Sequence, residues 1–241
     1  MTGSTFDGNS LDARPLNWRF VLPDSEVAGQ LLLATENETL PGAISVSLAA
    51  ARQNPEGISA FLDAAVTEGP YPNIVVSDLT GWSKALQISP QDLLNRLAAA
   101  VRPGGTLFAG FGNRHYPTEP FAVGTLSLNQ ASKLLVSADF TVTKQYVAMP
   151  DQRCPALLVP VSKSGAELAY VLRNVMFPYT DATSKLKGRF KQLMLTVMKR
   201  GALMSPPVLR FRLAPAYAVI AVKSATVAAS AATHASTAAA Q

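Results

Sequence analysis

Short apolar runs alternate with stretches of helical periodicity along most of this chain, which predicts a sheet covered by helices. Gln30–Ala34 (QLLLA) is apolar without alternation and reads as a buried first strand. Ala43–Arg52 carries Ile44 and Leu48 at helical spacing and reads as a helix. Ile58–Val66, with Ile58, Phe61, Leu62 and Ala65 on one side, predicts a second helix. Asn73–Asp78 is a strand that ends in a polar turn. Ser89-Pro90 then opens a helix: Ser89 can cap it, Pro90 fits its first turn, and Asp92 favours its positive end. Leu93, Leu94, Leu97 and Val101 give that helix an apolar stripe. Thr106–Phe111 is the next strand, and Ser127–Ala138 a helix with Leu128, Ala131, Leu134 and Leu135 together. Thr141–Val147 alternates like an edge strand, and Ala216–Val222 reads as a late buried strand. The succession is that of a parallel sheet.

The ends differ in character. Residues 1–16 read as a flexible arm, and 224–241, nearly all Ala, Ser and Thr with no apolar face, as a disordered tail. Between them, 17–223 is long enough for one α/β domain, with 149–215 inserted before the last strand. Inside the insertion, Ser184–Met204 sets Leu186, Phe190, Leu193, Met194, Val197 and Met198 at helical spacing. Lys185, Lys187, Arg189, Lys191, Lys199 and Arg200 flank that stripe.

Charge sharpens the division. The net charge of +5 combines eight basic and 13 acidic residues up to Phe140 with 13 basic and three acidic ones after it. Either the C-terminal part faces something anionic, or it is a solvated basic surface. The basic helix suits an anionic membrane surface or a partner, or else packs on its own domain. Nucleic acid is disfavoured, because no set of stacking aromatics interleaves with the basic residues. A lone cysteine, Cys154, excludes an internal disulfide and reads as a buried structural thiol. No apolar run reaches the ~20 residues of a membrane span, and Met1–Ser10 lacks the features of a signal peptide, so a cytoplasmic location is expected.

The most specific stretch is Val101-Arg102-Pro103-Gly104-Gly105-Thr106-Leu107-Phe108-Ala109-Gly110, in which a helix stops, two glycines turn the chain and a strand follows. Other motifs surround it in order: Asn17-Trp18-Arg19-Phe20-Val21-Leu22-Pro23-Asp24, the strand region Ile74 to Trp82, and the Asn113-Arg114 pair. Met149-Pro150-Asp151 to Pro155, Leu158-Val159-Pro160, a basic helix and Leu213 to Tyr217 follow. In this order they resemble class I S-adenosylmethionine-dependent methyltransferases, of a bacterial type found beside glycan and secondary-metabolite biosynthesis genes. The resemblance covers most of Asn17–Lys223 and implies an α/β fold, a methyltransferase-like Rossmann sandwich.

The cofactor motif of that family is degraded. The resemblance implies a glycine-rich loop after the first strand, and here the loop is Thr35-Glu36-Asn37-Glu38-Thr39-Leu40-Pro41-Gly42, with one glycine. It also implies a ribose-holding acid at the end of strand two. Only about 20 residues separate Arg52 from Asn73, whereas one βαβ unit takes ~30, so strands two and three read as lost and the sheet as shortened. Thr35, Glu36, Gly42 and Asp78 are the candidate cofactor-binding residues, with Glu36 to Glu38 a solvated turn on the other reading. Open α/β sheets bind ligands beyond the C-terminal ends of strands, which singles out Asp78 and Trp82, or makes them a turn and a packing residue. Gly112-Asn113-Arg114-His115-Tyr116 lies at the same edge: Asn113, Arg114 and Trp82 are candidate substrate contacts, and His115 the candidate base. No metal-ligand cluster is apparent.

The sequence therefore predicts a divergent methyltransferase-like protein of a bacterial biosynthetic pathway, non-catalytic, that binds or scaffolds and needs no cofactor. The alternative is an active O- or N-methyltransferase that uses S-adenosylmethionine on a glycan or small metabolite. A biosynthetic protein partner or an anionic small-molecule or glycan acceptor is expected, with peripheral membrane contact as a further option.

Overall fold

The structure, a computed structural model, describes residues 30–35, 43–116, 125–153, 155–174, 193, 196, 197, 200, 204, 206, 211, 212 and 214–224. The predicted arm, Glu36, Gly42, Cys154, most of the basic helix and the tail beyond Ser224 lie outside them. The described chain builds β1 (Gln30–Ala34), β2 (Ile44–Ser47), α1 (Leu48–Gln53), α2 (Pro55–Glu68) and β3 (Tyr71–Val76). It continues with α3 (Leu79–Ala85), α4 (Pro90–Ala100), β4 (Val101–Gly112), α5 (Leu128–Ser137) and β5 (Phe140–Met149). The last elements are β6 (Leu157–Pro160), α6 (Ala166–Asn174) and β7 (Ala216–Lys223).

One seven-stranded sheet has the order β2-β1-β3-β4-β7-β5-β6. Strands β2, β1, β3 and β4 are parallel neighbours, while β7 runs antiparallel between β4 and β5, and β6 antiparallel to β5. The fold is an α/β sandwich, with a mixed rather than an all-parallel sheet. Successive residues feed opposite faces: Leu31, Leu33, Ile74, Val76, Leu107 and Ala109 one core, Leu32, Ala34, Val75, Phe108 and Ile220 the other. Every described helix contributes to the first core, through Leu48, Leu62, Trp82, Leu94, Leu135 and Leu168 among others. Burial on both faces explains why β1 is apolar without alternation.

One strand expectation needs correction, and one holds in part. Residues 44–47 are not the start of a helix: Ile-Ser-Val-Ser has period two and pairs with β1, and the helix begins only at Leu48. Ser47 decides the boundary, since its hydroxyl accepts the Ala50 N–H at 3.2 Å and caps α1. The sheet is short on this side, but a strand does stand next to β1. Thr141–Val147, expected at an edge, is one only in its first part: β7 pairs with one side of β5 along its length, and β6 covers the other side from Tyr146 onward. Its alternation is that of a half-covered strand.

The Arg-Pro-Gly-Gly turn has a clear physical basis. Helix α4 ends at Ala100, and Val101 already pairs with Tyr71, yet the next register pair is Asn73 with Thr106. The surplus residues bulge out of β4. Gly104 has φ +72°, and a Cβ on Gly105 would lie 2.8 Å from the Pro72 carbonyl, so both positions require glycine. At the far end of β7, the Lys223 ammonium donates to the carbonyls of Ala98 and Val101, closing the C-terminus of α4.

Candidate functional site

The C-terminal ends of β3 and β4 open onto a cleft of about 470 Å³, a volume suited to a small ligand. Its walls come from the end of α1 (Arg52), the start and end of α3 (Asp78, Thr80, Gly81, Lys84), the loop after β4 (Asn113, Tyr116) and the segment after β5 (Asp151, Gln152, Arg153).

Asp78 anchors the cleft. It caps α3, with Oδ1 accepting the Gly81 N–H at 3.0 Å and the Thr80 hydroxyl at 3.1 Å. Oδ2 accepts Arg153 Nε at 2.8 Å, and the carboxylate is almost fully buried. A buried carboxylate needs such compensation. Both of its oxygens are engaged.

Trp82 lies one turn further along α3 and is fully buried. Its indole N–H donates to the Leu33 carbonyl at 3.1 Å, joining α3 to the end of β1. The structure therefore places this candidate substrate contact in the core. Helical spacing explains it: Leu79, Trp82 and Leu86 fall on one face of α3 and its end, and that face packs on the core. Asn113 lines the cleft but spends its amide on the fold. Nδ2 donates to the Arg212 carbonyl at 2.8 Å and to the Ala214 carbonyl at 2.6 Å, and Oδ1 accepts the His115 N–H at 3.0 Å. It fastens the loop after β4 to the approach to β7. Arg114 and His115 are exposed and do not line the cleft. Thr35, partly buried at the end of β1, does not line it either.

Below the loop, Tyr217 donates its hydroxyl to the Phe211 carbonyl and packs its ring against Phe111 at 5.7 Å. Burial raises its phenol pKa well above the ordinary value.

Among the described residues, those at the ends of β1 and β2 do not match the S-adenosylmethionine donor set that the resemblance implies. The end of β2, where a ribose-holding acid is expected, is Ser47, and its hydroxyl caps α1. The Leu33 carbonyl at the end of β1 is taken by Trp82 and by the Ser77 N–H at 3.3 Å. Over Gly110, a Cβ would meet the Ser77 carbonyl at 2.4 Å and Gln152 Cβ at 3.2 Å, so that side of β4 is already filled. The cleft reaches neither Thr35 nor Gly110. No group of three or more metal-ligating side chains occurs among the described residues.

Arg52, Lys84, Asp151, Gln152 and Arg153 line the cleft without having been candidates from sequence. The one available signal was local: Asp151-Gln152-Arg153 is a polar triplet in an apolar stretch. Elsewhere, Leu193, Val197 and Met204 of the basic stretch are 63%, 62% and 89% exposed, so at these positions the stripe does not pack on its own domain. No helix among the described residues is long and apolar enough to cross a membrane.

No family model matches the sequence, and no curated protein matches it significantly. Solved structures align with it over most of the chain. A SAM-dependent methyltransferase from Archaeoglobus fulgidus is 12% identical with a TM-score of 0.40, covering 87% of this chain and 92% of its own. The cyclopropane synthase MmaA2 from Mycobacterium tuberculosis is 12% identical with a TM-score of 0.39, covering 81% and 78%. The [4+2]-cyclase SpnF is 13% identical with a TM-score of 0.39, covering 82% and 75%. Likeness at this level carries nothing about activity.

Proposed function

We propose that this chain is a methyltransferase-like binding or scaffolding subunit of a bacterial biosynthetic pathway, and that it does not transfer methyl groups. The observation that carries the reading is Ser47 at the end of β2, a capping hydroxyl where a cofactor-binding carboxylate would be needed. Supporting it, Trp82 occupies the Leu33 carbonyl, Gln152 fills the space over Gly110, and Asp78 is committed to Arg153, Thr80 and Gly81. What remains open at the sheet edge is the cleft, which the proposal treats as a ligand site. Calorimetric titration of S-adenosylmethionine and S-adenosylhomocysteine into the full chain tests this. Neither should give saturable heat, and micromolar affinity for either overturns the reading.

The cleft's position beside β3 and β4 favours a second reading, an O- or N-methyltransferase whose acceptor lies near Tyr116 and Asp151. That reading needs the same cofactor, so the same titration decides between them.

A further inference from the structure

We propose that the cleft binds a small phosphorylated molecule, with its phosphate held by Arg153 between Arg52 and Lys84. Asp78 could cap α3 without charge, since Asn or Ser would serve as well. As a buried carboxylate it instead fixes Arg153 through Nε, on a wall of the cleft where the arginine side chain stays 55% exposed. The two terminal guanidinium nitrogens have no partner among the described residues, which leaves the part of the group that suits a phosphate fork. Arg52 ends α1 and Lys84 closes α3; both are exposed, line the same cleft and form no ion pair among the described residues. Asp78 is matched by its arginine, so Arg52 and Lys84, unpaired among the described residues, outnumber Asp151, the other carboxylate of the wall. With three cations against two carboxylates the wall keeps a positive surplus, and the planar fork of Arg153 suits a phosphate's several oxygens.

Asp78 is then a positioning residue for Arg153, and Arg52 and Lys84 are direct contacts. The proposal rests on the reading of the chain as a binding protein only in treating the cleft as a ligand site. Inorganic phosphate, with acetate as the carboxylate arm, is titrated into the full chain at matched ionic strength and followed by amide chemical shifts. Phosphate is expected to saturate, to shift residues 80–84 and 151–153, and to bind more tightly than acetate. Arg153→Gln should weaken binding by ~10-fold or more, with Arg153→Lys restoring only part of it. Because Arg52 and Lys84 are exposed and form no ion pair among the described residues, Arg52→Ala and Lys84→Ala should weaken binding several-fold with the thermal midpoint unchanged. Failure to saturate, affinity for acetate equal to that for phosphate, or full binding by the Arg52→Ala/Lys84→Ala double variant overturns the proposal. S-adenosylhomocysteine titrated into the same sample reports separately on the function proposed above: its binding would sink that function and leave the phosphate result standing.

Discussion

Replacing Trp82 by Phe separates a core residue from a ligand contact. The indole N–H bond to the Leu33 carbonyl is lost, but that carbonyl keeps the Ser77 N–H, so no acceptor is orphaned. The cost of the bond is then that of an ordinary buried one, about 1 kcal/mol. Phenylalanine also lacks two of the indole's carbons, at about 0.8 kcal/mol each plus the cavity they leave in a packed core. Together these give about 3 kcal/mol. Urea unfolding followed by far-ultraviolet circular dichroism should show the midpoint falling by about 1 M with its slope unchanged. A loss below about 0.5 kcal/mol, the size expected for a surface position, would refute the placement of Trp82 in the core.

Gly110→Ala should destabilise the domain by about 1–3 kcal/mol, because the new Cβ meets the Ser77 carbonyl of the neighbouring backbone at 2.4 Å; equal stability of the variant in the same urea assay would contradict this. Asn113→Ala removes two donors to the approach to β7 and an acceptor for His115, and should cost about 2–3 kcal/mol, whereas His115→Ala should leave stability unchanged. The Ser162 hydroxyl donates to Glu167 at 2.5 Å and, with a backbone hydrogen bond, lowers the Glu167 pKa. A depressed folded pKa contributes stability above the unfolded value that is lost as pH falls through the folded one, so the contribution should fade below pH ~4.5. Ser162→Ala should move the Glu167 titration, read by carboxyl carbon NMR, back upward; no movement would contradict the assignment. Tyr217 has the opposite sign: its raised pKa means that the folded state holds the proton, so stability should fall as pH rises above ~10. Tyr217→Phe should weaken that alkaline loss.

Elements set by local chemistry were legible in the sequence. The bounds of β1 match the apolar run Gln30–Ala34, and Ser89 and Pro90 open α4 as their capping chemistry requires. The double glycine after Pro103 is a bulge demanded by backbone contact with Pro72. Strand β2 was hidden because Ile44 and Leu48 satisfy a helical spacing while Ile-Ser-Val-Ser also satisfies a period of two, and pairing with β1 decides between them. The pairing of β5 with β7, about 75 residues later, leaves no local mark.

At the candidate site, the rule that ligands gather beyond strand C-termini found Asp78, but not what it does. Its partner Arg153 lies 75 residues away, and the amide of Asn113 is satisfied by carbonyls 99 and 101 residues away. Arg52 and Lys84 each look like a solvated helix-terminal cation until the fold brings them to one cleft. Glu36 and Gly42, offered on the resemblance, lie outside the described residues.

The ends of β1 and β2 decide whether an adenosine can be held. Backbone amide spectra of the isotope-labelled chain, recorded as S-adenosylhomocysteine is added to saturating concentrations for that family, interrogate those ends directly. The amides of Leu33 to Thr35 and of Ser47 to Ala50 should stay in place throughout. Saturable shifts confined to those two segments would show an adenosine site there and contradict the account.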